Sequence, residues 1–284
     1  MLRSLFAGIS GLRVNQTMLD VTGNNIANAN TIGFKSSTTV FADTLNQMLT
    51  GASGSSTARG GTNPIQVGLG VQLAATVSNL GQGSAQLTGR STDLMLNGDG
   101  MFVVAMNGQN LYTRAGAFTF DETGTLVNAS RARVQGFALD AAGLPTGAPA
   151  DISLDTAALQ PPVPVGVELT SFTFGSDGTL RGVFSDDIQR DIAQLALADF
   201  NNPQGLERAG ETMFRESANS GPAEIEVSSI GRRGSITAGA LEMSNVDLAA
   251  EFTNLILAQR GFQASSRVIT TSDQVLDDLI NIKR

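Results

Sequence analysis

The sequence contains no cysteine and no histidine. These absences exclude disulfides, thiolate chemistry, imidazole acid–base catalysis and the ordinary zinc sites. An enzyme built from the remaining residues would depend on carboxylate, Ser/Lys or Tyr chemistry, and no cluster of that kind stands out in the sequence. We therefore expect no catalytic site, no cofactor and no metal. A chain without cysteine is compatible with any redox compartment.

Aromatic residues are also scarce, since they make up 5% of the chain, tryptophan is absent and Tyr112 is the only tyrosine. Glycine, by contrast, occurs 32 times, and many glycines with few bulky anchors indicate a turn-rich β protein. The net charge of −8 argues against nucleic-acid binding. No apolar run approaches the roughly 18 residues of a membrane span, and the N-terminus shows no conventional cleavable signal pattern.

The segment 241–284 carries an apolar residue at every seventh position. It contains no proline, and within the repeat the only glycine is Gly261. This spacing predicts a long amphipathic helix that needs a helical partner. The repeat consists of Leu241, Leu248, Leu255, Phe262, Ile269 and Leu276, and it is widened by Phe252, Ile256, Leu279 and Ile280.

A second seam lies at the front of the chain, with spacings of three, four, three, four, three and seven residues. Gly8, Gly11 and Gly23 weaken this helix, because each glycine costs about 1 kcal/mol relative to alanine. Such a helix needs support, either from its own β domain, from the other end of the chain or from neighbouring copies. The seam is formed by Leu2, Leu5, Ile9, Leu12, Gln16, Leu19 and Ile26.

The stretch that follows this helix, residues 23–35, reads GNNIANANTIGFK. Asparagine and glycine tolerate left-handed conformations, so the stretch predicts a helix exit and a tight turn anchored by Ile26 and Phe34. The string N-N-I-A-N-x-x-T-x-G-F-K resembles the N-terminal signature of the bacterial flagellar rod and hook protein family. Its signature positions are Asn24, Asn25, Asn28, Thr31, Gly33 and Phe34.

The middle of the chain changes character twice. Residues 36–75 are rich in glycine, serine and threonine and predict a linker with a short helical turn at 44–49. Residues 76–240 predict a β-rich domain, with a hairpin at 93–104 and two similar strand–turn–strand units at 118–126 and 172–180. The proline-rich stretch 141–165 predicts a surface excursion.

Acidic residues in the turns raise calcium binding and paired catalytic carboxylates as alternatives. Calcium loops need several oxygen ligands at alternating positions and a late glutamate, and the turns at 121–122, 177 and 186–187 lack that set. Asp93 and Asp99 flank the predicted hairpin with no further acid–base group nearby. Solvated turns are therefore the favoured interpretation.

Further segments of the sequence are similar to hook proteins. The resemblance is carried by 60–72, by LNGDGMFVV (96–104), by YTRAGAFTFDETGTLVN (112–128), by 192–206, and by 240–248, 258–263 and 267–273. It implies that the terminal segments pair as a coiled coil lining an axial tube, with the β-rich domain as its outer shell. It also implies export through the flagellar export apparatus without a cleaved signal. The extra outer domain that many hook proteins carry has no room in this chain.

We therefore predict an α+β structural subunit of the flagellar hook, outside the cell, which polymerises into the tube that transmits motor torque. The distal rod protein is the alternative, and a secreted enzyme or an adhesin-like module are more remote ones. The resemblance implies as partners further copies of the chain, the distal rod protein, the hook cap and the hook–filament junction proteins.

Four regions are predicted: an N-terminal coiled-coil helix and turn (1–35), a linker (36–75), the β-rich domain (76–240) and a C-terminal coiled-coil helix (241–284). The seams are the predicted assembly interface. Its members are Leu5, Ile9, Leu12, Leu19, Ile26, Leu241, Leu248, Phe252, Leu255, Phe262, Ile269, Leu276 and Ile280.

Overall fold

The computed structural model describes residues 2–55, 59–140, 143–154, 167–186 and 188–282. The chain forms two compact units. The helical unit comprises Met1–Ala27, Ser37–Ser78 and Val246–Arg284, and the β-rich unit comprises Asn28–Ser36 and Asn79–Asn245. The chain thus has two helices and a large β-rich body, in agreement with the predicted α+β class.

The helical unit contains helix α1 (Leu2–Ala27) and helix α2 (Leu248–Ile282). Helix α2 begins after Asp247, whose Oδ1 accepts the backbone N–H groups of Ala249 (2.9 Å) and Ala250 (3.2 Å). This is an N-cap, which satisfies donors that a helix start leaves unpaired. The predicted start at Leu241 is therefore corrected, and Leu241 lies in a strand of the β-rich unit instead.

A long β arm completes the helical unit. Strand β1 (Ser37–Asp43) pairs antiparallel with β4 (Val71–Ser78), and β2 (Asn46–Thr50) pairs antiparallel with β3 (Ile65–Gly68). This arm stands where a linker and a helical turn at 44–49 were predicted. The prediction followed composition, whereas strand formation depends on the match between 37–50 and a partner that is distant in sequence.

The β-rich unit is built from short strands. Its described strands are β5 (Ala85–Leu87), β6 (Leu94–Asn97), β7 (Met101–Met106), β8 (Gln109–Thr113), β9 (Phe118–Phe120), β10 (Leu126–Asn128), β11 (Arg133–Leu139), β12 (Pro145–Asp151), β13 (Leu169–Phe174), β14 (Thr179–Phe184), β15 (Gln189–Leu195), β16 (Leu197–Asp199), β17 (Glu207–Gly210), β18 (Met213–Arg215), β19 (Glu224–Glu226), β20 (Ser235–Ala238) and β21 (Ala240–Glu242). A 3₁₀ turn spans Pro203–Gly205.

Strands β7 to β19 form one large sheet whose main path runs β13-β14-β15-β11-β7-β8-β18-β17. Two small pairings lie beside it, β6 with β20 and β5 with β21. The two predicted strand–turn–strand units are confirmed as the antiparallel hairpins β9–β10 and β13–β14. Their turns close at Gly124 and Gly178, which have φ of 74° and 76°.

The hairpin predicted at 93–104 is wrong. Strand β6 pairs with β20, and β7 pairs with β8 instead. Between β6 and β7, Gly98 and Gly100 have φ of 105° and 114°, a backbone region that favours glycine. These glycines let the chain pass from one sheet to another rather than fold back on itself.

The proline-rich stretch 141–165 is only partly described. Pro145–Asp151 forms the exposed strand β12, which pairs with β11, so this part is a sheet edge rather than a loop. Ala141, Ala142 and residues 155–166 lie outside the described residues, as does Asp187 of the predicted acidic turn.

The core of the β-rich unit lies on the large sheet and its hairpins. Phe102 and Phe118 are fully buried and meet edge to face, with ring centroids 5.3 Å apart. Leu126, Leu180 and Leu195 are fully buried in the same cluster. Each such side chain contributes about 1.5–3 kcal/mol of burial energy, so this unit has a closed hydrophobic core of its own.

Candidate assembly site

The two helices pack side by side and antiparallel. Ser4 lies against Ser272, with the hydroxyl oxygens 3.4 Å apart, and Asn25 at the other end of α1 donates to Oε1 of Glu251 at 3.0 Å. Residue numbers on the two helices therefore run in opposite directions along the contact.

Small residues bring the helices close. A Cβ added at Gly8 would lie 3.1 Å from Cγ1 of Ile269, and one added at Gly11 would lie 2.9 Å from Oγ of Ser265. On α2, a Cβ added at Gly261 would lie 2.5 Å from Oδ1 of Asn15. Gly8 and Gly11, expected only to weaken α1, are thus contact points where a larger side chain would push the helices apart.

Asn25 ties three parts of the helical unit together. Its Nδ2 donates to the backbone oxygen of Ser37 (2.7 Å) as well as to Glu251, and its Oδ1 accepts the Ser37 N–H (3.0 Å). The residue is 1% exposed. Buried amides are costly unless bonded, so Asn25 specifies how α1, α2 and the start of β1 meet.

The predicted seam residues lie at the margin of this contact rather than at its centre. Most of them are half-buried, four are exposed, and Leu241 is buried in β21. The half-buried ones are Leu5, Leu12, Leu19, Ile26, Leu255, Phe262, Ile269 and Leu276, and the exposed ones are Ile9, Leu248, Phe252 and Ile280. Of the remaining seam residues, Gln16 is exposed, and the side chains of Leu2 and Leu279 lie outside the described set.

The most buried residues on α2 occupy a different heptad position from the predicted seam. Glu251, Ala258 and Ser272 are buried, and Ser265, which continues the same line, is half-buried. Sequence reasoning missed this line because its members are small or polar. A seven-residue spacing of small residues was the signal that could have revealed it.

Large apolar side chains on α2 are left uncovered on both flanks of the helix contact. We call one flank, formed by Leu248, Phe252, Ile256 and Ile280, the exposed α2 face, and Leu257, Val268 and Val275 are exposed on the other flank. Phe252 is 51% exposed and Leu257 is 60% exposed. Helix α1 adds Phe6 and Ile9 as exposed apolar residues.

The signature residues are divided between the two compact units. Asn24 and Asn25 lie on α1, whereas the remaining signature residues lie in the β-rich unit. There Thr31 donates through Oγ1 to Oδ1 of Asn28 at 3.0 Å. Gly33 has φ of 67°, and a Cβ at this position would lie 2.5 Å from the backbone nitrogen of Ala115. Only glycine fits such a close backbone approach.

Phe34 and Lys35 are buried next to Gly33. The guanidinium carbon of Arg208 stands 5.2 Å from the ring centroid of Phe34, and Arg208 also donates to the Lys35 carbonyl oxygen. The Lys35 ammonium contacts Oε1 of Glu242 at 2.5 Å and the carbonyl oxygen of Gly81 at 2.8 Å. Burial lowers the pKa of Lys35, and the hydrogen bond and charge of Glu242 oppose that shift.

Arg114 completes the charged cluster. Its Nη1 lies 3.5 Å from Oε2 of Glu242, and its Nη2 donates to the Gly98 carbonyl oxygen at 2.8 Å. Lys35, Arg114 and Glu242 are all buried. Sequence reasoning did not identify this cluster, because its members come from distant parts of the chain.

The described residues contain no group of three or more acidic side chains placed to hold a metal ion. Within the same residues, neither helix is long and apolar enough to cross a membrane. The features that stand out are therefore surfaces and packing contacts.

Comparison with known families matches three parts of the chain. Residues 5–35 match the flagella basal body rod protein family, residues 95–182 match the D1 domain of flagellar hook protein FlgE/F/G, and residues 237–282 match the C-terminal region of flagellar basal body rod FlgEFG proteins.

Individual relatives include both rod and hook proteins. The flagellar basal-body rod protein FlgG of Bacillus subtilis is 42% identical over 286 aligned residues, which cover the whole of both chains. The flagellar hook protein FlgE of Borreliella burgdorferi is 31% identical over an alignment of 442 residues that also covers both chains. The FlgE hook protein of Helicobacter pylori is 50% identical over 117 residues, which are 41% of this chain and 16% of that protein.

The fold and these matches define a structural component of the bacterial flagellum. The chain belongs to the flagellar rod and hook protein family, and it is a short member.

Proposed function

We propose that the chain is an axial subunit that polymerises with further copies of itself, and that the polymer is the flagellar hook. The observation that carries the proposal is the exposed α2 face. Large apolar side chains in a row along a helix indicate a protein interface, and here they lie beside a helix pair that packs through small residues.

The predicted coiled coil belongs to this proposal. Leu255, Phe262, Ile269 and Leu276 are half-buried by the helix pair, so helices of neighbouring copies could cover the remainder. Each apolar side chain that becomes fully buried adds about 1.5–3 kcal/mol before the costs of association. In this arrangement the tube wall is held by helices, and the β-rich units form outer contacts.

Local similarity is the observation that supports the hook. A stretch of 117 residues, 41% of the chain, is 50% identical to the Helicobacter hook protein, whereas the Bacillus rod protein is 42% identical over the whole chain. Residues 60–72 also resemble the connecting segment of hook proteins.

The distal rod is the second candidate, and chain length favours it. The alignment with the Bacillus rod protein spans 286 positions, whereas that with the Borreliella hook protein spans 442. The hook relative therefore contains a long stretch with no counterpart in this chain.

Partners and location follow from the hook proposal. The neighbours would be the distal rod protein, the hook cap and the hook–filament junction proteins, and the subunit would reach the outside of the cell through the flagellar export apparatus.

The first experiment tests polymerisation. Phe252→Glu combined with Ile256→Glu places charges on the exposed α2 face, and we expect the purified chain to lose polymer formation while its β-rich unit stays folded. Gln274→Glu, an exposed position on the polar side of the same helix that Arg260 and Arg267 share, is the matched control and should polymerise normally. Sedimentation and electron microscopy are the measurements, and normal tubes from the double variant would refute the assembly role of this face.

The second experiment separates hook from rod. We expect cells that lack the gene to retain a complete rod and to have no hook in electron micrographs of isolated basal bodies. A truncated rod in those cells would refute the hook and support the distal rod.

A further inference from the structure

The charged cluster around Glu242 has an unusual composition for a buried site. Two cations, Lys35 and Arg114, share one carboxylate, and the side chains of Lys35 and Glu242 are 0% exposed. Oε1 of Glu242 also accepts the N–H of Gly83 at 2.8 Å. Breaking a buried ion pair leaves an uncompensated charge and is strongly destabilising, although an intact pair adds little net stability.

Backbone contacts join the same parts of the chain. The Gly33 N–H donates to the Glu242 carbonyl oxygen at 2.8 Å, and the Asn245 N–H donates to the Phe34 carbonyl oxygen at 3.4 Å. The side chain of Asn245 accepts the Ser36 N–H at 2.8 Å. Segments 33–36 and 241–245 are thus bonded directly to each other.

A third segment, 79–83, is bonded to the side chains of Glu242 and Asn245. Nδ2 of Asn245 donates to the carbonyl oxygens of Asn79 (2.8 Å) and Gly81 (2.9 Å), and Gly81 also accepts from Lys35. Glu242 and Asn245 are therefore the side chains through which all three segments meet.

We propose that Lys35, Arg114, Glu242 and Asn245 form a lock that orders the signature segment 28–36 only when the segment 241–245 is docked beside it. The two ends of the β-rich unit are then coupled in conformation, although they are far apart in sequence. This assigns a role to Lys35 and Glu242 that is independent of polymerisation and of whether the polymer is a hook or a rod.

The lock lies close in sequence to the places where the chain enters and leaves the β-rich unit. Asn28 and Ser36 are next in sequence to Ala27 and Ser37, and Asn79 and Asn245 are next to Ser78 and Val246. Three of these points, at Ser36, Asn79 and Asn245, belong to the bonded segments, and the fourth, at Asn28, begins the signature segment that leads into Gly33. Release of the lock would loosen these points together, without touching the core around Phe102.

Because the cluster has two cations and one carboxylate, its variants should differ in how strongly they disrupt the lock. Glu242→Gln leaves Lys35 buried without its counter-charge, and it leaves Arg114 with Asp99 as the remaining carboxylate that acts on it. Lys35→Met removes one cation and leaves Glu242 bonded to Arg114 and to the Gly83 N–H. The first change should therefore disrupt the lock more than the second, and combining Lys35→Met with Glu242→Leu should be milder than Glu242→Gln alone.

Hydrogen exchange of the full chain, followed by mass spectrometry, tests the lock. We expect Glu242→Gln to speed exchange in peptides covering 28–36 and 79–83 by about tenfold or more, with a smaller increase for Lys35→Met. Peptides from β13–β15 should be unchanged. Glu207→Gln, which breaks the exposed pair with Arg215, is the matched control and should leave the signature segment unchanged.

Unchanged exchange of 28–36 in a folded Glu242→Gln variant would overturn the proposal. Where that variant does not fold, Asn245→Ala and Lys35→Met decide, because each removes lock contacts with less residual charge. Faster exchange confined to the three segments supports the lock, and exchange that is unaltered or raised equally throughout the unit overturns it.

Discussion

The helical unit and the β-rich unit bury very different side chains. In the β-rich unit the buried set is large and apolar, with Phe102, Phe118 and Leu195 fully enclosed. In the described part of the helical unit, the buried apolar residues are Val14 and Ala258, and the other buried side chains are polar ones such as Thr22 and Asn25. One unit has a complete hydrophobic core, and the other holds its helices by close approach and hydrogen bonds.

The exposed residues reinforce this contrast. The arm of the helical unit exposes Leu45, Met48 and Ile65, which are 82%, 59% and 56% exposed, and Arg59 is the only charged residue between 44 and 78. A two-stranded hairpin is marginal by itself in water. The helical unit therefore carries the surface that has most to gain from burial against another molecule.

The largest expected effect compares one phenylalanine from each unit. Phe102→Ala should lower the free energy of unfolding of the β-rich unit by about 3–5 kcal/mol, because it leaves a cavity in a closed core. Phe252→Ala should change the stability of the helical unit much less, since its side chain is 51% exposed and surface substitutions usually stay within about 0.5 kcal/mol. Chemical denaturation followed by the fluorescence of Tyr112, the single tyrosine, measures the β-rich unit, and loss of the helical circular dichroism signal measures the helical unit. Equal losses from both variants would contradict the contrast between the units.

An intermediate effect tests the close approach of the helices. Leucine raises helix propensity equally at Gly8 and Gly23, but Gly8 faces Ile269 whereas an added Cβ at Gly23 meets no atom within 4 Å. We expect Gly8→Leu to be less stable than Gly23→Leu by about 1–3 kcal/mol, the usual cost of overpacking. Thermal loss of the helical circular dichroism signal is the measurement. Identical gains in both variants would show that the helices do not touch at Gly8.

The smallest expected effect is on the pKa of Tyr112, which reports on the β-rich unit and not on the helical unit. Burial, followed by the charge of Glu216, raises the pKa of Tyr112 from its usual 10.0 to about 12. Because the fold favours the neutral phenol, this contribution to stability is complete below pH 10 and is lost as the pH rises through about 12.

Ultraviolet absorbance titration of the single tyrosine follows this pKa directly. Glu216→Gln should lower it somewhat, and Gly8→Leu in the helical unit should leave it where it is. A midpoint near 10 in the folded protein would contradict the burial of this side chain.

Local patterns predicted much of this architecture. The hairpins at 118–126 and 172–180 were predictable because each needs only two adjacent apolar runs and a glycine that can adopt positive φ. The helices were predictable from their periodicity, but Leu241 was misassigned. The heptad spacing continues through Leu241, whereas the chain places it in β21 and starts α2 only after the cap at Asp247.

Pairing between distant segments was not predictable. Strand β6 pairs with β20 rather than with the neighbouring β7, and β1 pairs with β4 across an arm that composition suggested was a linker. Such choices depend on which surfaces meet in three dimensions, and a single strand carries little information about its partner.

By itself the sequence determined that this protein has two amphipathic terminal helices, a glycine-rich β body and an asparagine-rich turn after the first helix, because these follow from periodicity and from the backbone preferences of individual residues. Only the tertiary structure decided that glycines and serines form the helix contact, that the leucine seams lie at its margin, and that Lys35, Arg114 and Glu242 share one buried site. The physical reason is that close approach and charge pairing depend on distances between residues far apart in the chain.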